Sequence, residues 1–122
     1  MSIKSNNRAL GAKGEEIAVN LLKERGLSIL QQNFRCRHGE IDIIAKENGI
    51  IIFIEVKTRK NDKYGTPEAA VDHRKQKRLR LVAAYYLTHH CHDSHPCRFD
   101  VVSILLDRND EPVSVRIIEN CL

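Results

Sequence analysis

The sequence has no apolar run approaching the ~20 residues that a membrane-spanning helix needs. Its start, MSIKSNNRALGAKGEE, also lacks the apolar stretch of a secretory signal peptide. Four irregularly spaced cysteines, in a chain without an export signal, predict free thiols rather than a disulfide framework. These absences argue against a membrane protein and a secreted one, and we expect the protein to be cytoplasmic.

The length and composition are those of a small globular protein. The chain has 122 residues, of which 42% are hydrophobic and 30% charged. This composition excludes a largely disordered chain. We expect one domain over residues 1–122, with the polar residues 1–8 flexible.

Positive charge is concentrated in one part of the chain. Residues 57–80 contain nine basic and three acidic side chains, a formal charge of +6, whereas the whole chain carries +4. Such a concentration suits a polyanion such as nucleic acid. A solvated helix face would have the same composition, so charge alone leaves both interpretations open. The candidate phosphate-binding residues are Arg59, Lys60, Lys63, Arg74, Lys75 and Arg78.

Hydrophobic periodicity predicts two helices and five strands in the order α-β-β-β-α-β-β. The predicted helices cover residues 14–25 and 66–89, the second with Thr66 as its N-cap and Pro67 at its first position. The predicted strands cover residues 27–35, 39–47, 50–57, 98–106 and 113–119. This order predicts an α/β fold with a mixed central sheet flanked by helices.

Asn48-Gly49 separates two apolar strands and is a strong β-hairpin signal. A turn centred there pairs residues whose numbers add to 97, which places Asp42 opposite Glu55 and Glu40 opposite Lys57. Directly opposed side chains have Cβ atoms roughly 4.5–5.5 Å apart. Alternation then predicts these four charged residues on one face of the hairpin. The other face would carry Ile41, Ile43, Ile52, Ile54 and Val56.

Two opposed carboxylates destabilise a sheet unless something holds them together. A hard divalent cation such as Mg²⁺ bound by Asp42 and Glu55 would do so, because Mg²⁺ commonly uses one or two carboxylates together with phosphate oxygens. Lys57 would then orient the attacking water or neutralise charge on the phosphate. The alternative is a solvated sheet face on which Glu40 and Lys57 form a weak surface pair.

Other polar residues allow two interpretations each. Glu15 shares a helix face with Ala18 and Leu22, so it is either a further metal ligand or substrate-orienting group, or a first-turn acid stabilised by the helix dipole. Lys75 lies on an apolar stripe, where it either reaches a phosphate or lays its stem along the core. Asp100, in a Val-rich strand, is expected to be a structural partner of a nearby base rather than catalytic.

The aromatic and histidine-rich residues near the end of the second helix point to structure rather than function. Tyr85-Tyr86 is expected to pack in the core rather than to stack on bases. The histidines around Cys91 and Cys97 could bind zinc, but their spacing fits no common zinc module. We therefore expect a plain connecting loop there.

The spacing of Asp42 and Glu55-Val56-Lys57 resembles the PD-(D/E)xK motif of the restriction-endonuclease-like superfamily, with Ile41 in place of the proline. Further segments resemble the YraN family of small bacterial proteins, and the resemblance covers nearly the whole chain. These segments are Gly11-Ala12-Lys13-Gly14-Glu15, Gly39-Glu40-Ile41-Asp42, Glu55-Val56-Lys57-Thr58-Arg59 and Arg98-Phe99-Asp100-Val101-Val102.

The resemblance implies a restriction-endonuclease-like fold similar to archaeal Holliday-junction resolvases and to the tRNA-endonuclease-like group. It also implies that Asp42 and Glu55 bind Mg²⁺ or Mn²⁺, that Lys57 assists the hydrolytic water, and that Glu15 completes the site.

The leading hypothesis is a Mg²⁺-dependent nuclease acting on DNA, branched or single-stranded. Its catalytic residues would be Asp42, Glu55 and Lys57, with Glu15 and Glu40 in supporting roles. Two alternatives remain open at this point: a nucleic-acid-binding module with a vestigial nuclease site, and a dimeric scaffold in DNA processing.

Overall fold

The computed structural model describes residues 3–60, 73–90 and 95–120, with side chains from residue 9 onward. The elements are α1 (Ile3–Glu24), β1 (Ser28–Cys36), β2 (Gly39–Glu47), β3 (Ile50–Arg59), α2 (His73–His90), β4 (Cys97–Leu106) and β5 (Pro112–Ile118). The predicted order α-β-β-β-α-β-β is therefore confirmed.

Five strands form one mixed sheet in the order β1-β2-β3-β4-β5. Three neighbouring pairs are antiparallel, and β3 pairs with β4 in parallel. Parallel neighbours need a crossover connection, and the chain from β3 to β4 includes α2. The mixed α/β architecture predicted from the sequence is confirmed.

The β2–β3 hairpin has the predicted register. Its ladder runs from Glu47–Ile50 to Ile43–Ile54, and every pair of residue numbers adds to 97. Asn48 and Gly49 have φ values of 52° and 79°. Positive φ at both central residues is the requirement of a type I′ turn, which explains why Asn-Gly sets the register.

The two helices cover opposite faces of the sheet. One core cluster joins Ala18 and Leu22 of α1 to Ile43 and Ile54, and the other joins Val82 of α2 to the sheet's second face. Covering both faces explains why β2 and β3 have almost continuous apolar sequences instead of an alternating pattern.

A close approach between α1 and β3 fixes the position of the first helix. A Cβ added at Gly14 would overlap the Thr58 Oγ1 atom. Gly14 therefore lets the helix backbone lie directly on β3. The next residue, Glu15, projects from the same turn of α1.

Some element ends differ from the prediction. α1 begins at Ile3 rather than at Gly14, within the segment expected to be flexible, and β3 continues to Arg59. The predicted N-cap Thr66 and the following Pro67 lie outside the described residues. Helix starts are weakly marked in the sequence because a polar first turn resembles a loop.

Within the described ranges, neither helix is long and apolar enough to cross a membrane.

Candidate active site on the hairpin

The β2–β3 ladder stops one pair before Asp42 and Glu55. There the Asp42 carboxylate accepts a hydrogen bond from the Val56 N–H at 2.8 Å. The side chain thus takes the place of a strand carbonyl as acceptor. This contact directs the Asp42 carboxylate toward β3 at the point where the two strands separate.

The predicted alternation is wrong at Ile41. Ile41 packs with the α2 cluster, whereas Ile43 packs with the α1 cluster. The β1–β2 register contains no Asn33–Asp42 pair, and Asn33 has a φ of 54°. A left-handed residue in one strand disrupts regular pleating, and here the disruption lies beside the candidate site.

Glu55 and Asp42 lie in side-chain contact, as the register predicted. The pKa of Glu55 is raised to about 8, first by burial and then by a hydrogen bond with Asp42 and by the charge of Asp42. The positive charges of Lys75 and Lys57 act in the opposite direction. Lys75 Nζ lies 3.7 Å from Glu55 Oε2. In the absence of a metal, the carboxyl pair therefore keeps a proton near neutral pH.

Lys57 follows Glu55 on the same side of β3 and lies against Lys75 of α2. Its pKa is lowered by burial first and then by the nearby Lys75 amine, while Glu55 and Asp42 raise it. Two amines and two carboxyl groups from β2, β3 and α2 thus lie close together. Lys75 also lines an open pocket beside Glu55, where it can contact an anion.

Glu15 reaches the same cluster from α1. Its side chain is half-buried, while the neighbouring Glu16 is exposed. Burial raises the pKa of Glu15, as do the charge and a hydrogen bond of Asp42, whereas a hydrogen bond with Asn33 lowers it. The inward orientation expected from the helix pattern is confirmed, and Glu15 lies beside Asp42.

Glu40 lies at the edge of this cluster. The β2–β3 ladder does not extend to Glu40 and Lys57, so the predicted opposition between them is not formed as a strand pair. Glu40 instead pairs with Arg35 of β1, and their side chains form an exposed ion pair of 2.8 Å. The separation of β2 from β3 at Asp42 explains the difference.

An open pocket of about 240 Å³ lies between β2, β3 and α2. It is lined by Gly39, Glu40, Glu55, Lys75, Arg78, Leu79 and Val82. The carboxyl group of Glu55 therefore faces a solvent-accessible space that also contains two basic side chains. Such a space admits an anionic group next to the acidic pair.

The oxygen donors of Asp42 and Glu55 fit a hard divalent cation. Their contact brings two carboxyl groups together, and a bound cation would offset the repulsion between their charged forms. Across residues 3–60, 73–90 and 95–120, no three His, Cys, Asp or Glu side chains converge as a complete metal-binding group. Two carboxylates are nevertheless the usual protein contribution to a Mg²⁺ site, since waters and phosphate oxygens supply the remaining ligands.

The predicted phosphate-binding residues occupy different environments. Arg74 and Arg78 are exposed on α2, and Lys75 is half-buried beside Glu55. Lys60 forms an ion pair of 2.8 Å with Asp110. Arg59, at the end of β3, is half-buried, and Lys63 lies outside the described residues.

Asp100 has the structural role expected of it. Its buried carboxylate pairs with Arg98 at 3.1 Å and accepts the Asn120 N–H at 2.9 Å. These contacts join the start of β4 to the residues after β5. Asp100 also lines a narrow apolar pocket that includes Glu55. Its carboxylate is nevertheless engaged by Arg98 and Asn120.

Sequence reasoning missed Asn33, which hydrogen-bonds Glu15, because no local pattern marks an Asn as left-handed within a strand. It also treated Tyr85 and Tyr86 alike. Tyr86 is buried in the core as expected, whereas Tyr85 is half-buried: it packs against the same core cluster and also stacks on the exposed His89. The four-residue spacing of Tyr85 and His89 could have indicated this contact.

Comparison with known proteins finds relatives that are named only by their family. The model of the uncharacterised protein family UPF0102 matches residues 14–104. A UPF0102 protein of Caldicellulosiruptor saccharolyticus is 44% identical over 94% of this chain and 98% of its own length. One from Moorella thermoacetica is 46% identical over 92% and 93%, and one from Rhodococcus opacus is 44% identical over 88% and 92%.

Proposed function

Because the chain belongs to the uncharacterised protein family UPF0102, whose description names no activity, we propose from the site itself that it is a Mg²⁺-dependent phosphodiester hydrolase acting on nucleic acid, with DNA favoured. One observation carries the proposal: the half-buried side chains of Asp42 and Glu55 are in contact, with Lys57 and Lys75 beside them, and an open pocket connects Glu55 to solvent. Acidic pairs flanked by lysines are suited to binding a cation and a phosphate together.

Asp42 and Glu55 would hold the cation, which would supply Lewis acidity toward the scissile phosphate when bound. Glu15 would fix the orientation of Asp42 through their hydrogen bond. Lys75, in ion-pair distance of Glu55, would contact a phosphate oxygen. Lys57 would hold the attacking water or offset negative charge that develops on the phosphate, as a partly desolvated amine can do.

The proposal is tested with the purified full chain on single-stranded, duplex and branched DNA, with RNA of the same sequence in parallel. We expect cleavage that requires Mg²⁺ or Mn²⁺. Asp42→Asn and Glu55→Gln should each reduce cleavage by at least about a hundredfold while binding is retained, because each removes a charged ligand without changing shape. Glu15→Gln should reduce cleavage less.

Glu16→Gln is the matched control for Glu15→Gln, since Glu16 is the exposed neighbour on α1. Cleavage that survives both Asp42→Asn and Glu55→Gln would contradict the site assignment. Salt-dependent binding that ignores the metal and shows no turnover would instead indicate a binding module that has lost catalysis.

A further inference from the structure

One face of α2 carries a row of side chains that lies outside the buried core, and only Tyr85 in this row packs partly against the core. Residues at intervals of three or four lie on the same face of a helix. The row, called here the α2 stripe, consists of Arg74, Arg78, Leu81, Tyr85 and His89. All are exposed except Tyr85, which is half-buried. Leu81 is one of three exposed large hydrophobic side chains in the described parts of the chain.

The far end of the α2 stripe presents stacked rings. The rings of Tyr85 and His89 have centroids 4.0 Å apart and an interplanar angle of 22°. His89 Nδ1 lies 2.8 Å from the Tyr85 carbonyl oxygen, and the Phe34 ring packs 6.2 Å from the Tyr85 ring. These contacts hold a flat aromatic surface in place at the protein surface.

The near end of the α2 stripe is cationic and adjoins the candidate active site. Arg78 lines the same pocket as Glu55 and Lys75. Residues 73–90 contain five Lys and Arg side chains and no Asp or Glu. The stripe thus leads from a cationic environment beside Glu55 to an aromatic surface, over about 22 Å at the usual helical rise.

We propose that the α2 stripe binds a single-stranded segment of nucleic acid and leads it into the pocket that contains Glu55. Arg74 and Arg78 contact its phosphates, and unpaired bases stack on Tyr85 and His89. A cationic track combined with stacking rings is the chemistry by which single strands are bound without sequence preference. A duplex offers phosphates to the arginines but no free base faces to the rings. The guiding role rests on the proposed hydrolase function, whereas the binding does not.

Binding is measured without divalent metal, by fluorescence anisotropy, using oligonucleotides of about 12 nucleotides, a length within the range of known single-strand sites. The double variant Tyr85→Leu/His89→Ala should bind the single strand about tenfold more weakly, the scale of losing one stacked base. Its affinity for the matching duplex should not change. Tyr85→Phe keeps the ring and should bind like the wild type.

A strand with abasic sites separates base stacking from phosphate contact. The wild type should bind it about as weakly as the double variant binds the intact strand, and the double variant should lose nothing further. His89→Ala alone removes an exposed ring, and it replaces the double variant in these measurements if the double variant fails to fold. Binding of DNA and RNA strands of one sequence shows which sugar the wild type prefers. The double variant should lose affinity for both.

Arg78→Ala and Arg80→Ala form a matched pair, because both arginines are exposed on α2 but only Arg78 lies on the α2 stripe. Arg78→Ala should weaken binding of single strand and duplex alike, several-fold more than Arg80→Ala does. Equal effects of the two, or equal losses for duplex and single strand in the double variant, would overturn the inference.

The two proposals fail in different ways. If the α2 stripe is needed for binding but no cleavage occurs, the hydrolase proposal is wrong and the binding proposal holds. If cleavage is metal-dependent but the double variant keeps its single-strand affinity and kcat/KM, the hydrolase proposal holds and the binding proposal is wrong.

Discussion

Asp42 illustrates how one side chain connects strand structure to chemistry. Its carboxylate accepts the Val56 N–H where the β2–β3 ladder ends, and it contacts both Glu55 and Glu15. A backbone donor fixes its position, so the neighbouring acids are held close despite their repulsion. Burial and proximity then favour a proton on Glu55 when no cation is bound.

The raised pKa of Glu55 predicts a pH-dependent stability. Because the pKa is about 8 in the folded protein and 4.5 is the ordinary value, the neutral form stabilises the fold. This contribution is complete below pH 4.5 and is lost as the pH rises toward 8. In EDTA, Glu55→Gln should therefore gain stability relative to the wild type over this interval, by on the order of a few kcal/mol.

Thermal unfolding at several pH values measures this effect. Mg²⁺ should raise the melting temperature of the wild type at pH 8, but not that of Glu55→Gln, because the ion binds the charged carboxylate. Glu16→Gln removes a solvated carboxylate and is the control. A melting-temperature difference between Glu55→Gln and wild type that stays constant with pH would contradict the assignment of the proton to Glu55.

At the scale of elements, the β2–β3 turn decides where the acids meet. Gly49 has a φ of 79°, and an added Cβ there would meet nothing within 4 Å. Gly49→Ala should therefore lower the free energy of unfolding by about 1 kcal/mol, because alanine is strained at positive φ and not because it clashes. Urea titration measures this loss.

Gly11→Ala is the contrasting change. Gly11 lies inside α1 and an added Cβ would also meet nothing within 4 Å, so alanine should stabilise the protein by up to about 1 kcal/mol. The same substitution at two unobstructed glycines therefore has opposite signs. If both variants change stability in the same direction, the left-handed turn at Gly49 is not what sets the hairpin.

The elements also show what periodicity can and cannot predict. Strand bounds in β2 match the prediction because apolar runs and Asn-Gly delimit them. The start of α1 does not, because its first turns are polar. The irregularity at Asn33 and Asp42 depends on contacts between β1, β2 and α1, and no single segment contains the information that specifies it.

At the scale of the whole molecule, basic residues that look equivalent in the sequence differ in their surroundings. Lys60 is held 2.8 Å from Asp110, whereas Arg74 is exposed on α2. A phosphate that binds Lys60 must displace the Asp110 carboxylate, and exposed ion pairs contribute only about 0–1 kcal/mol. Lys60 is thus the weaker candidate for phosphate contact.

This difference is measurable in the salt dependence of DNA binding. A single strand should bind with log K falling linearly as log salt rises, with a slope of about −0.7 per phosphate contacted. Arg74→Ala should reduce the magnitude of the slope by nearly that amount, and Lys60→Ala by clearly less. Equal changes in slope would show that the Asp110 pair does not hinder Lys60.

The sequence by itself determined the order of elements, the hairpin register and the meeting of Asp42 with Glu55, because periodicity and turn stereochemistry act over short stretches of chain. It also determined the family. Only the tertiary structure decided that Glu15 and Lys75 join the acidic pair, that Glu40 pairs with Arg35, and that Tyr85 stays partly accessible. These outcomes depend on how α1 and α2 pack on the sheet, and packing is a property of distant residues acting together.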